Sequence, residues 1–154
     1  MSSDLWSFTI RVYARPEVEQ ACLQLQQAGA DVCLLLCGAW LGQHEVSCTT
    51  ERLQQLTTLA QPWQSTVILP LRQLRQRWRV AAATDSALAK LRERVKGLEL
   101  EAEQQLMLRL EATAQSWPTG EAKDLPVWLS GLAAQTGEQD RVALQVLRDA
   151  VNSA

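Results

Sequence analysis

The chain has one histidine, one phenylalanine and one tyrosine, and no apolar run long enough to span a bilayer. A single histidine rules out a His-Glu-x-x-His zinc pair, and there is no glycine-rich phosphate loop and no Gly-x-Ser-x-Gly elbow. No two aspartates lie within four residues of each other, which excludes the aspartate-rich, magnesium-holding motifs of helical prenyl synthases. The four cysteines, Cys22, Cys33, Cys37 and Cys48, form no Cys-x-x-Cys pair. A zinc site is therefore not expected, and they read as reduced thiols that behave as small hydrophobes. Met-Ser-Ser-Asp-Leu-Trp at the N-terminus carries neither the basic nor the apolar part of an export signal, so the expected compartment is the cytosol. No cofactor or metal is called for, and no pattern in the chain specifies an activity.

The longest apolar stretch runs from Val32 to Leu41, ten residues that are all apolar or glycine, directly after Asp31. It falls well short of the roughly 20 residues needed to cross a membrane, so it reads as a core element with no membrane role. A buried strand is the competing reading. The run is long for a strand and leucine-rich rather than β-branched, and Asp31 is a good N-cap, so a fully buried central helix is predicted. Gly38 and Gly42, four apart on one side, would let a neighbouring helix come close.

A chain of 154 residues with 47% hydrophobic and 21% charged residues is the usual size and composition of one soluble domain. Its wealth of Leu, Ala, Gln, Glu and Arg predicts an all-α fold, an irregular bundle of about seven or eight helices. The order expected is a core domain over 1–116 and a helical tail over 117–154, laid on the core or on a second subunit. Ser2, Ser3 or Asp4 caps a first helix to about Arg15, with two apolar stripes that both want burial: Leu5, Phe8, Val12 and Trp6, Ile10, Tyr13. Pro16 is placed in the first turn of a second helix that stops at Gly29. Thr49 or Thr50 caps a fourth helix that ends near Pro62. Pro62 then opens a segment carrying the seam Trp63, Val67, Leu71, Leu74 and Trp78, with a kink or break at Pro70. After a loop over Val80 to Thr84 comes one long helix, Ser86 to about Gln115. Ser116 to Gly120 breaks the chain, and Val127 to Leu132, a turn at Gly137 and a last helix with Val142, Val146, Leu147, Ala150 and Val151 complete it. The long helix has apolar positions on more than one face, including Leu100, Met107 and Leu108, and either the tail or a twin subunit is expected to cover them.

Charge is unevenly spread. Residues 1–60 carry a net −3, residues 61–96 a net +6 and residues 97–154 a net −5. Arg72, Arg75 and Arg79 fall on one helical face, with Trp78 beside them. That face suits carboxylates, either on a protein partner, on a twin subunit or on the chain's own Glu99 to Glu111 helix. Phosphates of a nucleic acid are the weaker reading, because the remainder is acidic and no nucleic-acid module is present. Trp117 and Trp128, in or beside the loop-rich tail, are candidate exposed anchors for a partner. His44 and Cys48 mark a candidate pocket near the end of the central helix. A Cys-His pair could there form a thiolate nucleophile, whereas the plainer role for His44 is to cap the helix end.

Several ordered blocks also carry a family resemblance. They are Leu5-Trp6-x-Phe8, Tyr13-Ala14-Arg15-Pro16-x-Val18-Glu19, Gly29-Ala30-Asp31-Val32, Trp40-Leu41-Gly42, Pro62-Trp63, Pro70-Leu71-Arg72-x-Leu74-Arg75 and Glu99-Leu100-Glu101-Ala102-Glu103. Over about residues 5–110 the chain resembles a family of short bacterial proteins known as a domain of unknown function. That resemblance implies no activity. The function expected from the residues is a non-catalytic, cytosolic protein-interaction or adaptor module. A small-molecule binder or enzyme with a pocket among the first four helices is the alternative, and a weak nucleic-acid binder acting through Arg72 to Arg79 is a further one.

Overall fold

Asp31 starts the central helix as predicted. In a computed structural model, which describes residues 5–133 and 141–152, its carboxylate accepts the Leu34 N–H at 3.2 Å. The helix it caps, α3 (Val32–Gln43), buries all eleven residues from Val32 to Gly42. Around it lie α1 (Leu5–Tyr13), α2 (Val18–Gln27), α4 (Thr50–Trp63), α5 (Leu69–Arg77), α6 (Arg79–Ala82), α7 (Ser86–Ala114), α8 (Leu125–Leu132) and α9 (Arg141–Asn152). A π turn, Gln64–Ile68, joins α4 to α5 into one 28-residue rod. Counting that rod once gives eight helices and no strand among the described residues. One buried cluster runs from Leu5 to Val151.

The termini of α2 and α3 are closed by the same device. Gly29, at φ 98°, donates to Gln26 O at 3.0 Å, and Ala30 donates to Leu25 O at 3.0 Å, the two bonds of a Schellman motif. After α3, Glu45 takes the glycine role at φ 58°, with Glu45 N–H to Gly42 O at 3.1 Å and Val46 N–H to Leu41 O at 3.0 Å. A residue with a Cβ pays for that left-handed backbone. It is held there by the buried Val46 and by Glu121, whose N–H donates to Glu45 O at 2.8 Å.

The prolines depart from expectation, each for a local reason. Pro16 lies ahead of α2 rather than in its first turn. It is the second residue of a turn from Arg15 to Val18, and Glu17 adopts φ 69° and ψ −8°, the third-position geometry of a type II turn, which favours proline just before it. Pro62 neither ends α4 nor opens a new helix. It sits within α4 on the exposed side, where the carbonyl it leaves unpaired is open to water. At Pro70 the predicted interruption takes the form of the π turn just before it. Leu69 N–H bonds to Gln64 O, five residues back, and this wider loop makes room for the ring without a break. The extra residue also rotates Ile68 into the core at 0% exposure, beside the half-buried seam of Trp63, Val67, Leu71, Leu74 and Trp78.

Further corrections concern burial. In α1 only Leu5, Phe8 and Val12 are buried with Thr9, while Ile10 and Tyr13 are exposed, because the helix has neighbours on one side alone. In α9 the buried stripe is Ala143, Leu147, Ala150 and Val151, and Val142 faces out. The expected Val80 to Thr84 loop is helical as far as Ala82, and Asp85 then caps α7 by accepting from Ala87 and Leu88 N–H at 3.1 Å. The tail does not cover α7: α8 packs chiefly on α3, and α9 on α2. Of the off-stripe residues of α7, Met107 is buried and accepts from Thr9 Oγ1 at 3.3 Å, while Leu100 and Leu108 stay exposed. The proposed caps Ser2, Ser3 and Asp4 and the Gly137 turn lie outside the described residues.

Candidate functional site

α5 and α6 pack on α7 and on the π turn rather than on α1, α2, α3 or the tail, so together with the first half of α7 they form a two-helix arm. Nothing in α7 before Val95 is buried. Val80 is 84% exposed, Leu91 48% and Leu98 51%. Trp78, Leu91, Val95 and Leu98 line a shallow apolar groove that Arg94 and Glu101 border. Gly97 opens its floor, since nothing lies within 4 Å of where a Cβ would stand.

At the root of the arm the predicted arginine face meets its carboxylates within the chain. Glu99, 6% exposed, accepts from Arg72 Nε at 3.0 Å and from Arg75 Nε at 2.5 Å and Nη2 at 3.3 Å. Arg72 Nη2 also lies 3.7 Å from Glu103. Arg79 takes no part, because α5 ends at Arg77 and the turn at Trp78 carries it off the face. Arg77, Arg79, Lys90 and Arg94 are exposed and have no ion-pair partner among the described residues. Within the basic stretch, the charge left unpaired among the described residues therefore belongs to the arm beyond its arginine–glutamate root.

The two glutamates respond in opposite ways to this root. Burial alone would raise the Glu99 pKa, but the hydrogen bonds and charges of Arg75 and Arg72 carry it below the ordinary range. For Glu103 burial wins over the more distant Arg72, with Glu99 adding repulsion, and its pKa is pushed up to about 7. A carboxyl raised in the folded state favours folding while protonated, so stability falls as pH rises from about 4.5 toward 7. Glu103→Gln should remove that fall and add on the order of 2–3 kcal/mol at pH 8, with little change at pH 4. Urea melts at the two pH values measure it, and an equal effect at both would refute the assignment.

The remaining candidates lie elsewhere. Trp128 is no exposed anchor: it is fully buried, and its Nε1 donates to Val46 O at 2.8 Å. Trp117 is half-buried, stacked on Trp128 at 6.2 Å between ring centroids, with the Arg52 guanidinium 5.3 Å from its own. The arm and the Trp117 region thus do not share a site. His44 occupies the C-cap of α3, its Nδ1 2.9 Å from Trp40 O, the plainer of its two predicted roles. A shallow polar cleft beside it is walled by Gln115 to Gly120, which places it at the end of α3 against the tail loop and not among the first four helices. Cys48 is half-buried, and burial with Asp124 nearby pushes its thiol up to about 11, opposite to what a nucleophile needs. Cys22, Cys33 and Cys37 are free and buried, and burial raises all three, Cys22 to about 11. Among the described residues no three Cys, His, Asp or Glu side chains are grouped to hold a metal, and no helix is long and apolar enough to cross a membrane.

Periodicity alone could have suggested the arm, since Leu91, Val95 and Leu98 share a stripe; what it could not supply was that the first half of α7 would pack on α5 and α6 and leave that stripe largely uncovered. No curated protein and no solved structure matches the chain. Residues 4–110, well over half the chain, match the protein of unknown function family DUF2390, the region that holds α1 to α3, the arm and its arginine–glutamate root, and the chain belongs to that family.

Proposed function

We propose that the protein is a cytosolic interaction module that binds, through the arm, an acidic helical segment of another protein. The observation that carries this reading is the uncovered apolar groove of Trp78, Leu91, Val95 and Leu98 on an arm whose exposed Arg77, Arg79, Lys90 and Arg94 are unpaired among the described residues. Apolar residues in a helical groove supply affinity for an amphipathic helix, and the net basic charge of the arm selects a partner of opposite sign. In this reading the protein's work is binding rather than catalysis. The same basic charge makes a nucleic acid the second reading, and the acidic body of a second copy a third occupant.

The test is a triple variant, Leu91→Ser, Leu98→Ser and Arg94→Ser, compared with the parent in crosslinked capture from the protein's own cells. The parent should retain a partner that binds purified protein directly, and the variant should lose it while melting within about 1 kcal/mol of the parent, since all three sites are exposed. Retention of every partner by a folded variant would sink the proposal. Sedimentation of a dimer that the variant dissociates would make the occupant a second copy. Tight RNA binding with a steep salt dependence would favour the nucleic acid instead.

A further inference from the structure

At the other end of α3 from His44, a cleft of about 360 Å³ opens between the α2–α3 turn, the π turn and α8. Its size is at the lower end of small-molecule sites. Leu34, Leu69 and Leu132 give it an apolar lining, and Asp31, Gln64 and Arg72 supply polar groups. Three features build it. The Schellman turn brings Gly29 and Ala30 to one wall. The π turn places Gln64 so that its Nε2 donates to Asp31 Oδ1 at 2.7 Å. Gly38 has no side chain to hold off α8, since a Cβ there would come 2.6 Å from Leu132 Cδ1.

The charges in this cleft are not balanced equally. Arg72 is already committed to Glu99 and Glu103 through Nε and Nη2. Asp31 is held by the N–H groups of Leu34, Gln64 and Cys33, all of them neutral. An ionised carboxylate accepts about four hydrogen bonds, so capacity for one more donor remains. Burial raises the Asp31 pKa despite those bonds and the charge of Arg72 across the cleft, and an ammonium group in direct contact with the carboxylate would relieve the penalty that remains. We infer that this cleft is a binding site for a small primary amine, its ammonium group on Asp31 and its hydrocarbon part on Leu34, Leu69 and Leu132. The site lies apart from the arm's groove and does not depend on the arm's partner.

The experiment is an NMR titration of the full isotope-labelled chain with n-butylamine, n-butanol and butyrate, three probes of similar shape and different charge. Butylamine should give saturable shifts at the amides of Gly29, Ala30 and Leu132, and bind at least about tenfold more tightly than butanol, with butyrate silent. Asp31→Asn keeps a good N-cap and should weaken butylamine by at least about tenfold. Thr57→Lys, which puts an ammonium of the chain's own on the cleft wall, should abolish the shifts and serves if Asp31→Asn does not fold. Preference for butyrate would mean that Arg72 reads the ligand, and would overturn the inference. Equal response to all three probes, no response to any, or undiminished butylamine binding in a folded variant would also overturn it.

Discussion

Glu99→Ala should destabilise the protein by about 3 kcal/mol or more at pH 7, the penalty for breaking a buried ion pair from one side. Glu99 is the one buried charged side chain among the described residues, and its two oxygens serve both Arg72 and Arg75. Without it Arg75 loses its ion-pair partner, and Arg72 keeps only Glu103 at 3.7 Å. The damage should not stay local. Arg92 Nε donates to Arg75 O at 2.9 Å, so the residue that Glu99 holds also ties α5 to α7 farther out along the arm, and hydrogen exchange should quicken along the whole arm. The pH dependence identifies the cause. Because the folded Glu99 pKa lies below its ordinary value, its contribution is complete above the unfolded pKa and disappears as pH falls through the folded one. The gap between parent and variant should therefore narrow steadily in acid. Glu99→Gln, which keeps the shape and loses the charge, should fall between them. A loss under about 1 kcal/mol at pH 7 would mean that the arginines find other partners at little cost, as exposed pairs do.

How far the sequence announced this structure depended on how local the deciding cause was. α3 was legible because its composition admits only burial, whichever face is considered. The arginine face and its pairing with the chain's own glutamate helix were also legible, as one of the options a carboxylate-binding face allowed. Arg79 failed to join because a stripe at i, i+3, i+7 assumes an unbroken helix, and α5 stops two residues short of it. Trp128 was misjudged for a different reason. It stands in an eight-residue helix close to a Pro-Gly break, where periodicity is too short to tell in from out; the packing of α8 on α3 buries it, and the carbonyl that takes its indole N–H, Val46 O, lies 82 residues earlier. The amine cleft was out of reach altogether. It needs Gln64 on Asp31, and the π turn that places Gln64 has no periodic signature.

Gly42→Ala should be the most costly of the single-carbon substitutions, about 2–3 kcal/mol, in the range of overpacked cores. A Cβ there would lie 2.6 Å from Leu125 Cα, 2.9 Å from Leu125 Cβ and 3.0 Å from Leu125 N, so the obstacle is the backbone at the start of α8 and no rotamer change can clear it. α8 would have to lift from α3. That movement strains the Trp128 bond to Val46 O at 2.8 Å, the Asp124 Oδ2 bond to Cys48 N–H at 2.8 Å and the Glu121 bond to Glu45 O. Gly38→Ala should cost less, since the atom it meets is the flexible end of Leu132. Gly97→Ala, in open space within α7, should instead stabilise by about 0.5–1 kcal/mol through helix propensity. Denaturant melts of the three variants read this order, and the quenching of tryptophan fluorescence by iodide reports whether Trp117 and Trp128 become accessible in Gly42→Ala. The family match ends at residue 110, before α8 begins, yet the face of α3 marked by Gly38 and Gly42 is covered by α8 and by no other described helix at comparable contact. If Gly42→Ala melts within about 0.5 kcal/mol of the parent with its tryptophans still shielded, α8 is not held as closely as those distances require, and the central helix must be able to keep its core without it.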